Sequence, residues 1–201
     1  MITLYWTPRS RAGRMLWALE EAGVPYELSR VDFRAEPPIY PEGFVEASPL
    51  RKVPALRDGA LAMADSAAIA LYLADRYQPG VLAPTLQDPE RGAFLTWMFY
   101  TPSALEPAMV EKLAELPPRP QAYAWGSFDR TLGAVEDRLT GRDWLVGGQF
   151  SMADLMVSGA LQFLQAFGMM EPSPTFTAYM ERCFARPAAQ AARAKEAALS
   201  A

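Results

Sequence analysis

The sequence predicts two fold classes in series, an α/β domain and then an all-helical one. Three observations carry that reading. Strand-like and helix-like runs alternate over residues 1–77, a stretch marked by Pro79-Gly80, Pro84 and Asp88-Pro89 interrupts them, and the apolar patterns beyond it have helical spacing. The expected division is 1–78 for the α/β domain, 79–89 for a linker and 90–201 for the helical domain.

Residues 2–6 read as a strand, Ile-Thr-Leu-Tyr-Trp. Residues 11–22 place Met15, Leu16, Leu19 and Ala22 on one helical face and stop at Gly23 and Pro25. A second strand is expected at 26–31, then an irregular segment rich in proline (Pro37, Pro38, Pro41, Pro49). Residues 53–57 and 61–64 form a hairpin turned by Asp58-Gly59, and residues 66–77 a helix with Ile69, Leu71, Leu73 and Tyr77 among its apolar positions. A β-α-β unit needs a crossover helix and so a parallel pair, whereas the hairpin is antiparallel; that mixed order matches a thioredoxin-like domain. Past the linker, helices are expected at 91–113, 123–139, 151–167 and 175–186, with an Ala-rich tail after Arg186-Pro187.

With 201 residues, 51% hydrophobic and 21% charged, the chain can bury a sizeable core. A net charge of -4 without long basic runs argues against nucleic acid as the partner. No apolar run approaches the roughly 20 residues that cross a bilayer, so no membrane role is expected. The single cysteine, Cys183, cannot form an internal disulfide, and Met1 leads directly into a strand with no basic leader, which fits the cytoplasm. Histidine is absent, so a metal centre or a Ser-His triad is not expected. Cys183 reads as a small buried hydrophobe.

Two short motifs carry the chemistry. Lys52-Val53-Pro54 precedes the hairpin, and Asp65-Ser66 heads the next helix, where main-chain amides and the helix dipole favour a carboxylate. A third, Leu145-Val146-Gly147-Gly148-Gln149-Phe150-Ser151-Met152-Ala153-Asp154, ends in a capping-box variant that reads as structural. Together with the order of domains, these motifs resemble the cytosolic glutathione S-transferase superfamily, in its bacterial, theta-like, serine-type form, over essentially the whole chain.

The resemblance implies a cis bond at Val53-Pro54 that lets the cysteinyl part of glutathione pair with the Val53 main chain like an added strand. It implies further that Ser66 and its neighbouring amide bind the γ-glutamyl carboxylate, that Asp65 takes the ammonium, and that Lys52 meets the glycyl carboxylate. An ordinary helix cap at Asp65-Ser66 and a solvated Lys52 are the plainer readings of the same residues.

For the thiol, the turn Thr7-Pro8-Arg9-Ser10-Arg11 lies where this family keeps its activating group. Ser10 aligns with the catalytic serine, and Thr7 and Arg11 are the other possible thiol-side contacts; a simple helix cap is the plainer role for Ser10. Thr7, Arg9 and Ala12 depart from the family pattern, Arg9 putting bulk and charge where glycine is common. Thr7-Pro8-Arg9-Ser10 has the spacing of a dithiol motif without sulfur, which excludes a two-cysteine redox cycle.

The implied activity is attack of a glutathione thiolate, glutathione being the co-substrate, on a small hydrophobic electrophile. Its pocket is expected between the two domains, with Phe99, Tyr100, Pro102, Leu105 and Met109 as candidates and core packing as the alternative for each. The resemblance also implies a homodimer. A non-catalytic module of the same fold, used for binding or protein interaction, is the other function considered.

Overall fold

A computed structural model describes residues 1–200. Chain contacts divide it into two compact units, Met1–Leu82 with the segment from Arg186 onward, and Ala83–Ala185. The sequence reading placed 90–201 in one helical domain; the last helix instead belongs to the first unit.

In the first unit, β1 (Ile2–Trp6), α1 (Ala12–Ala22) and β2 (Tyr26–Arg30) form the expected β-α-β unit. Gly23 ends α1 in the left-handed conformation, φ 66°, its N–H reaching the carbonyls of Leu19 and Glu20. The irregular segment holds one element that hydrophobic spacing does not reveal, the four-residue α2 (Phe44–Ala47). Then come β3 (Ala55–Asp58), β4 (Leu61–Ala64) and α3 (Ser66–Tyr77). The sheet order is β2-β1-β3-β4, with β1 parallel to β2 and antiparallel to β3.

Leu4 and Leu56 from the sheet, Met15, Leu16 and Leu19 from α1, and Ile69 and Leu73 from α3 are all fully buried. Tyr5, Val31, Phe44, Ala47 and Ala55 make a second cluster that seats α2. The Tyr5 hydroxyl donates to the Glu42 carbonyl at 2.8 Å, so Tyr5 is a packing residue with its polar end satisfied. At the hairpin's far end, Asp58 accepts hydrogen bonds from the hydroxyls of Tyr72 (2.8 Å) and Tyr77, tying the turn to α3.

The Ala-rich tail is a full helix, α9 (Pro187–Ser200), with Ala189 and Ala192 buried. It packs on α1 through charged pairs. Arg186 holds Glu21 in a two-point grip at 2.6 and 2.7 Å, and Lys195 meets Glu20 at 2.6 Å.

The second unit contains α4 (Arg91–Tyr100), α5 (Glu106–Leu113), α6 (Phe128–Leu139), α7 (Met152–Ala166) and α8 (Pro174–Phe184). The single helix expected over 91–113 is interrupted by a widened π-helical turn at Thr101–Leu105. Pro102 and Pro107 have no N–H to give the carbonyls of Met98 and Ser103, and the Ser103 hydroxyl donates to the Phe99 carbonyl at 2.6 Å. The helix expected to begin at 123 starts five residues later, where Ser127 caps it by accepting from the Arg130 N–H.

α7 is the central helix of this unit, buried along most of its length. Asp154, with no exposed surface, accepts from the N–H groups of Leu145 and Ser151 at 2.8 Å, the Ser151 hydroxyl at 2.9 Å and the Tyr179 hydroxyl at 3.0 Å. Burial still pushes its carboxyl above the ordinary range, although each of these bonds pulls the other way. Burial first, then the nearby Asp154 charge, push the Cys183 thiol up to about 12, so it stays protonated and packs as a small hydrophobe.

Replacing Asp154 by alanine strands four buried donors and should lower the unfolding free energy by roughly 3 kcal/mol or more in urea titrations; a loss under about 1 kcal/mol would contradict the role given to it. Asp58 supplies a pH test. The hydrogen bond from Tyr77, and with it that from Tyr72, holds its carboxyl below the ordinary value, so its stabilisation is complete above the unfolded carboxylate pKa of ~3.9 and is lost as pH falls through the lower folded value. Asp58→Asn should flatten that acid limb, and an unchanged acid limb would refute the assignment.

Candidate functional site

Strand register brings the sequence motifs together. The hairpin pairs Ala55 with Ala64 across the two-residue loop Gly59-Ala60, so Val53, two residues before Ala55, and Ser66, two residues after Ala64, leave the same end of the ladder. β1 pairs Tyr5 with Ala55, so Thr7, just past the end of β1, lies at that end too. Thr7, Val53 and Ser66 therefore lie at one end of the sheet, although 59 residues separate the outer two in sequence.

Val53-Pro54 is cis, as the resemblance implied; a second cis bond, Glu36-Pro37, was not anticipated. Val53 is half-buried and stands outside the ladder. Among the described residues no protein group hydrogen-bonds its main-chain N–H or C=O. An accessible peptide unit in that state is an open position for an extended peptide.

The preceding loop is held rigidly. The Ser48 hydroxyl, almost fully buried, accepts from the Lys52 N–H at 3.0 Å and donates to the Lys52 carbonyl at 2.8 Å, and the Arg51 N–H donates to the Ser48 carbonyl. Arg51 adopts φ 53° with its guanidinium over the Tyr40 ring. This clamp, absent from the sequence reading, leaves Lys52 exposed, and among the described residues no ion pair engages it.

Asp65 and Ser66 stand differently toward α3. Asp65 is the cap of α3: one carboxylate oxygen accepts from the N–H groups of Ala67 (2.8 Å) and Ala68 (3.2 Å). Its backbone stands at φ 78°, a costly conformation for a residue with a Cβ. Ser66 is 6% exposed, and among the described residues nothing hydrogen-bonds its hydroxyl. The helix is already capped, so that hydroxyl remains available to a ligand.

In the turn after β1, the Ser10 hydroxyl donates to the Thr7 carbonyl at 2.7 Å and accepts from the Ala12 N–H at 3.2 Å. Ser10 is thus engaged as a turn and helix-start residue. To give its proton to a sulfur it must leave the Thr7 carbonyl, exchanging a neutral hydrogen bond for a charge-assisted one, which is the stronger kind. Arg11 is the exposed residue at the start of α1.

The electrophile candidates belong to the helical unit. Leu105 and Met109 are 1% and 4% exposed and pack in its core. Phe99 is exposed, Pro102 half-buried, and Tyr100 half-buried with its hydroxyl donating to the Thr131 carbonyl at 3.0 Å. Among the described residues there is no cluster of metal-ligating side chains, and no helix is long and apolar enough to cross a membrane.

Comparison with known proteins finds a family match in each unit. Residues 10–76 match the model of the glutathione S-transferase N-terminal domain, and residues 95–187 that of the C-terminal domain. The chain is 31% identical to mouse glutathione S-transferase theta-3 over 176 residues, 80% of this chain and 72% of the relative. It is 30% identical to the disulfide-bond oxidoreductase YfcG of Escherichia coli (strain K12) over 168 residues, 77% of this chain and 76% of the relative. Among solved structures, a sphingomonad glutathione S-transferase complexed with glutathione superposes with a TM-score of 0.79 at 29% identity, covering 97% of this chain and 98% of that one. Because both domain models match in chain order and the mouse relative aligns across four-fifths of the sequence, the chain belongs to the glutathione S-transferase superfamily.

Proposed function

We propose that this chain is a theta-like, serine-type glutathione transferase of the cytoplasm, acting as a homodimer, which ionises the glutathione thiol and directs it at a small hydrophobic electrophile. The observation that supports this most is the coincidence, at one end of the sheet, of the unused peptide unit of Val53 with the unspent hydroxyl of Ser66 at a helix N-terminus. In this reading the cysteinyl residue pairs with Val53, the γ-glutamyl carboxylate sits on Ser66 and its amide, the second Asp65 oxygen takes the ammonium, and Lys52 meets the glycyl carboxylate.

Thiol activation needs only modest energy. A free thiol has a pKa near ~8.5, and lowering it by two units requires about 2.7 kcal/mol of preference for the anion. One charge-assisted hydrogen bond supplies about 1.5–3 kcal/mol, enough for Ser10 acting at the start of α1. Full ionisation raises the thiolate fraction at most about 30-fold, so the rest of any acceleration comes from placing the electrophile in line with the sulfur. With an aryl chloride, sulfur bonds to the ring carbon, chloride leaves with its electron pair and the thiol proton passes to solvent. Phe99, Tyr100 and Pro102 are the proposed contacts for the electrophile's apolar part.

Similarity to the E. coli oxidoreductase favours a second reading, glutathione-dependent disulfide reduction. The turn at Thr7-Pro8-Arg9-Ser10 carries no sulfur. Both electrons would therefore come from glutathione, two molecules joining as their disulfide while the substrate becomes a dithiol.

Ser66→Ala should weaken glutathione binding about 10- to 100-fold in calorimetry, the worth of one hydrogen bond to a charged carboxylate, while the melting temperature holds because Asp65 still caps α3. Unchanged affinity would remove Ser66 from the site. Ser10→Ala should reduce turnover of an electron-poor aryl chloride by up to about 30-fold with little change in glutathione affinity. Unchanged turnover would pass the donor role to Thr7 or Arg11, and binding without turnover of any electrophile or disulfide would point to the non-catalytic module.

A further inference from the structure

A cavity of about 440 Å³ beside the turn after β1 plays no part in the chemistry above. Its lining includes three arginines: Arg9 from that turn, Arg30 from the end of β2, and Arg34 from the segment that follows. Phe33 and Leu199, each with substantial exposed surface, supply apolar faces. Among the described residues no ion pair engages any of the three arginines.

Two acids stand nearby, and both serve the main chain. Asp32, on the cavity wall, accepts from the N–H groups of Arg34 and Ala35 at 2.9 and 3.3 Å, while Glu196 of α9 accepts from the Arg9 N–H at 3.2 Å. With three arginines against the one carboxylate of Asp32 in its lining, the cavity keeps an excess of positive charge. Arg9 holds φ 57°, a left-handed backbone that favours glycine, yet the position carries the bulkiest cation available. A left-handed arginine in the lining of a cavity with two further arginines, none of them ion-paired among the described residues, is an arrangement that surface solvation alone does not require.

We infer that this cavity binds an organic anion with an apolar body, a carboxylate on an aromatic or branched hydrocarbon. The acid is held by the arginine forks and the body lies on Phe33 and Leu199. The volume falls within the roughly 300–1,000 Å³ of small-ligand pockets. Thr7 and Pro8 line the same cavity, and Thr7 is the carbonyl partner of Ser10. Resting on the transferase reading, the second half of the inference is that the electrophile itself carries the carboxylate, which this cavity anchors beside the thiol turn.

The test compares naphthoate with naphthamide by calorimetry on the full chain, in low-chloride buffer. Naphthoate should bind at least about tenfold more tightly, and the Arg30→Gln/Arg34→Gln double variant should bring the two within about twofold. Equal affinities, a preference that survives in the double variant, or inorganic phosphate competing as well as naphthoate would overturn the inference. Both arginines are exposed, and Arg34→Gln alone gives the same reading should the double variant not fold. Turnover of an electron-poor chlorobenzoate should exceed that of its amide through KM, and equal KM values would sink the substrate half. Retention on immobilised glutathione is read separately: its loss in the wild type would defeat the transferase reading and leave the naphthoate result standing.

Discussion

The site depends on the register of one short hairpin. A two-residue loop and two four-residue strands leave no slack: with Asp58 opposite Leu61 and Ala55 opposite Ala64, the residue before Pro54 and the first residue of α3 emerge at the same end of the sheet. A shift of one residue would turn Leu56, which is fully buried, toward the opposite face and move Ser66 away from Val53. The hydrogen bonds from Tyr72 and Tyr77 to Asp58 fasten the other end of the hairpin to the helix that Ser66 begins. Packing and the geometry of the proposed site are therefore set by the same pairing.

The polar groups near the site sort into those consumed by the fold and those left over. Asp65 spends one oxygen on α3, Ser48 both receives from and donates to Lys52, and Ser10 is tied to Thr7 and Ala12. What remains is the Val53 peptide unit, the Ser66 hydroxyl, the second Asp65 oxygen, the Lys52 ammonium and three arginines beside the turn after β1. These leftovers have the complement that a peptide with two carboxylates and one ammonium requires, together with a second, separately charged cavity. α9 shapes that cavity, since Glu196 grips the Arg9 amide and Leu199 supplies part of the wall.

Much of this was legible in the sequence because local and global signals agree there. The helix over 66–77 is bounded by a cap and an apolar stripe, and the β-α-β order follows from Gly23 and Pro25 stopping a helix between two strands. Other features were not legible, for physical reasons. The four-residue α2 is too short to show a period and exists because Phe44 fills a cluster with Tyr5 and Val31. The break inside 91–113 required treating Pro102 and Pro107 as missing donors rather than as residues in an apolar run. The tail looked like low-information alanine, yet small side chains are what let α9 lie close against α1. The division of labour between Asp65 and Ser66 could not be read from an Asp-Ser pair, because either residue makes a good cap. Arg9, noticed only as a departure from a pattern, acquires meaning once β2 and α9 bring Arg30 and Leu199 to it.

The central claim is that glutathione is held by the Val53 peptide unit and the start of α3. A crystal structure of the chain with glutathione tests it most directly. The account predicts main-chain hydrogen bonds between the cysteinyl residue and Val53, with the γ-glutamyl carboxylate on the Ser66 hydroxyl and amide. Glutathione bound elsewhere, or electron density that leaves Val53 and Ser66 untouched at saturating ligand, would contradict it.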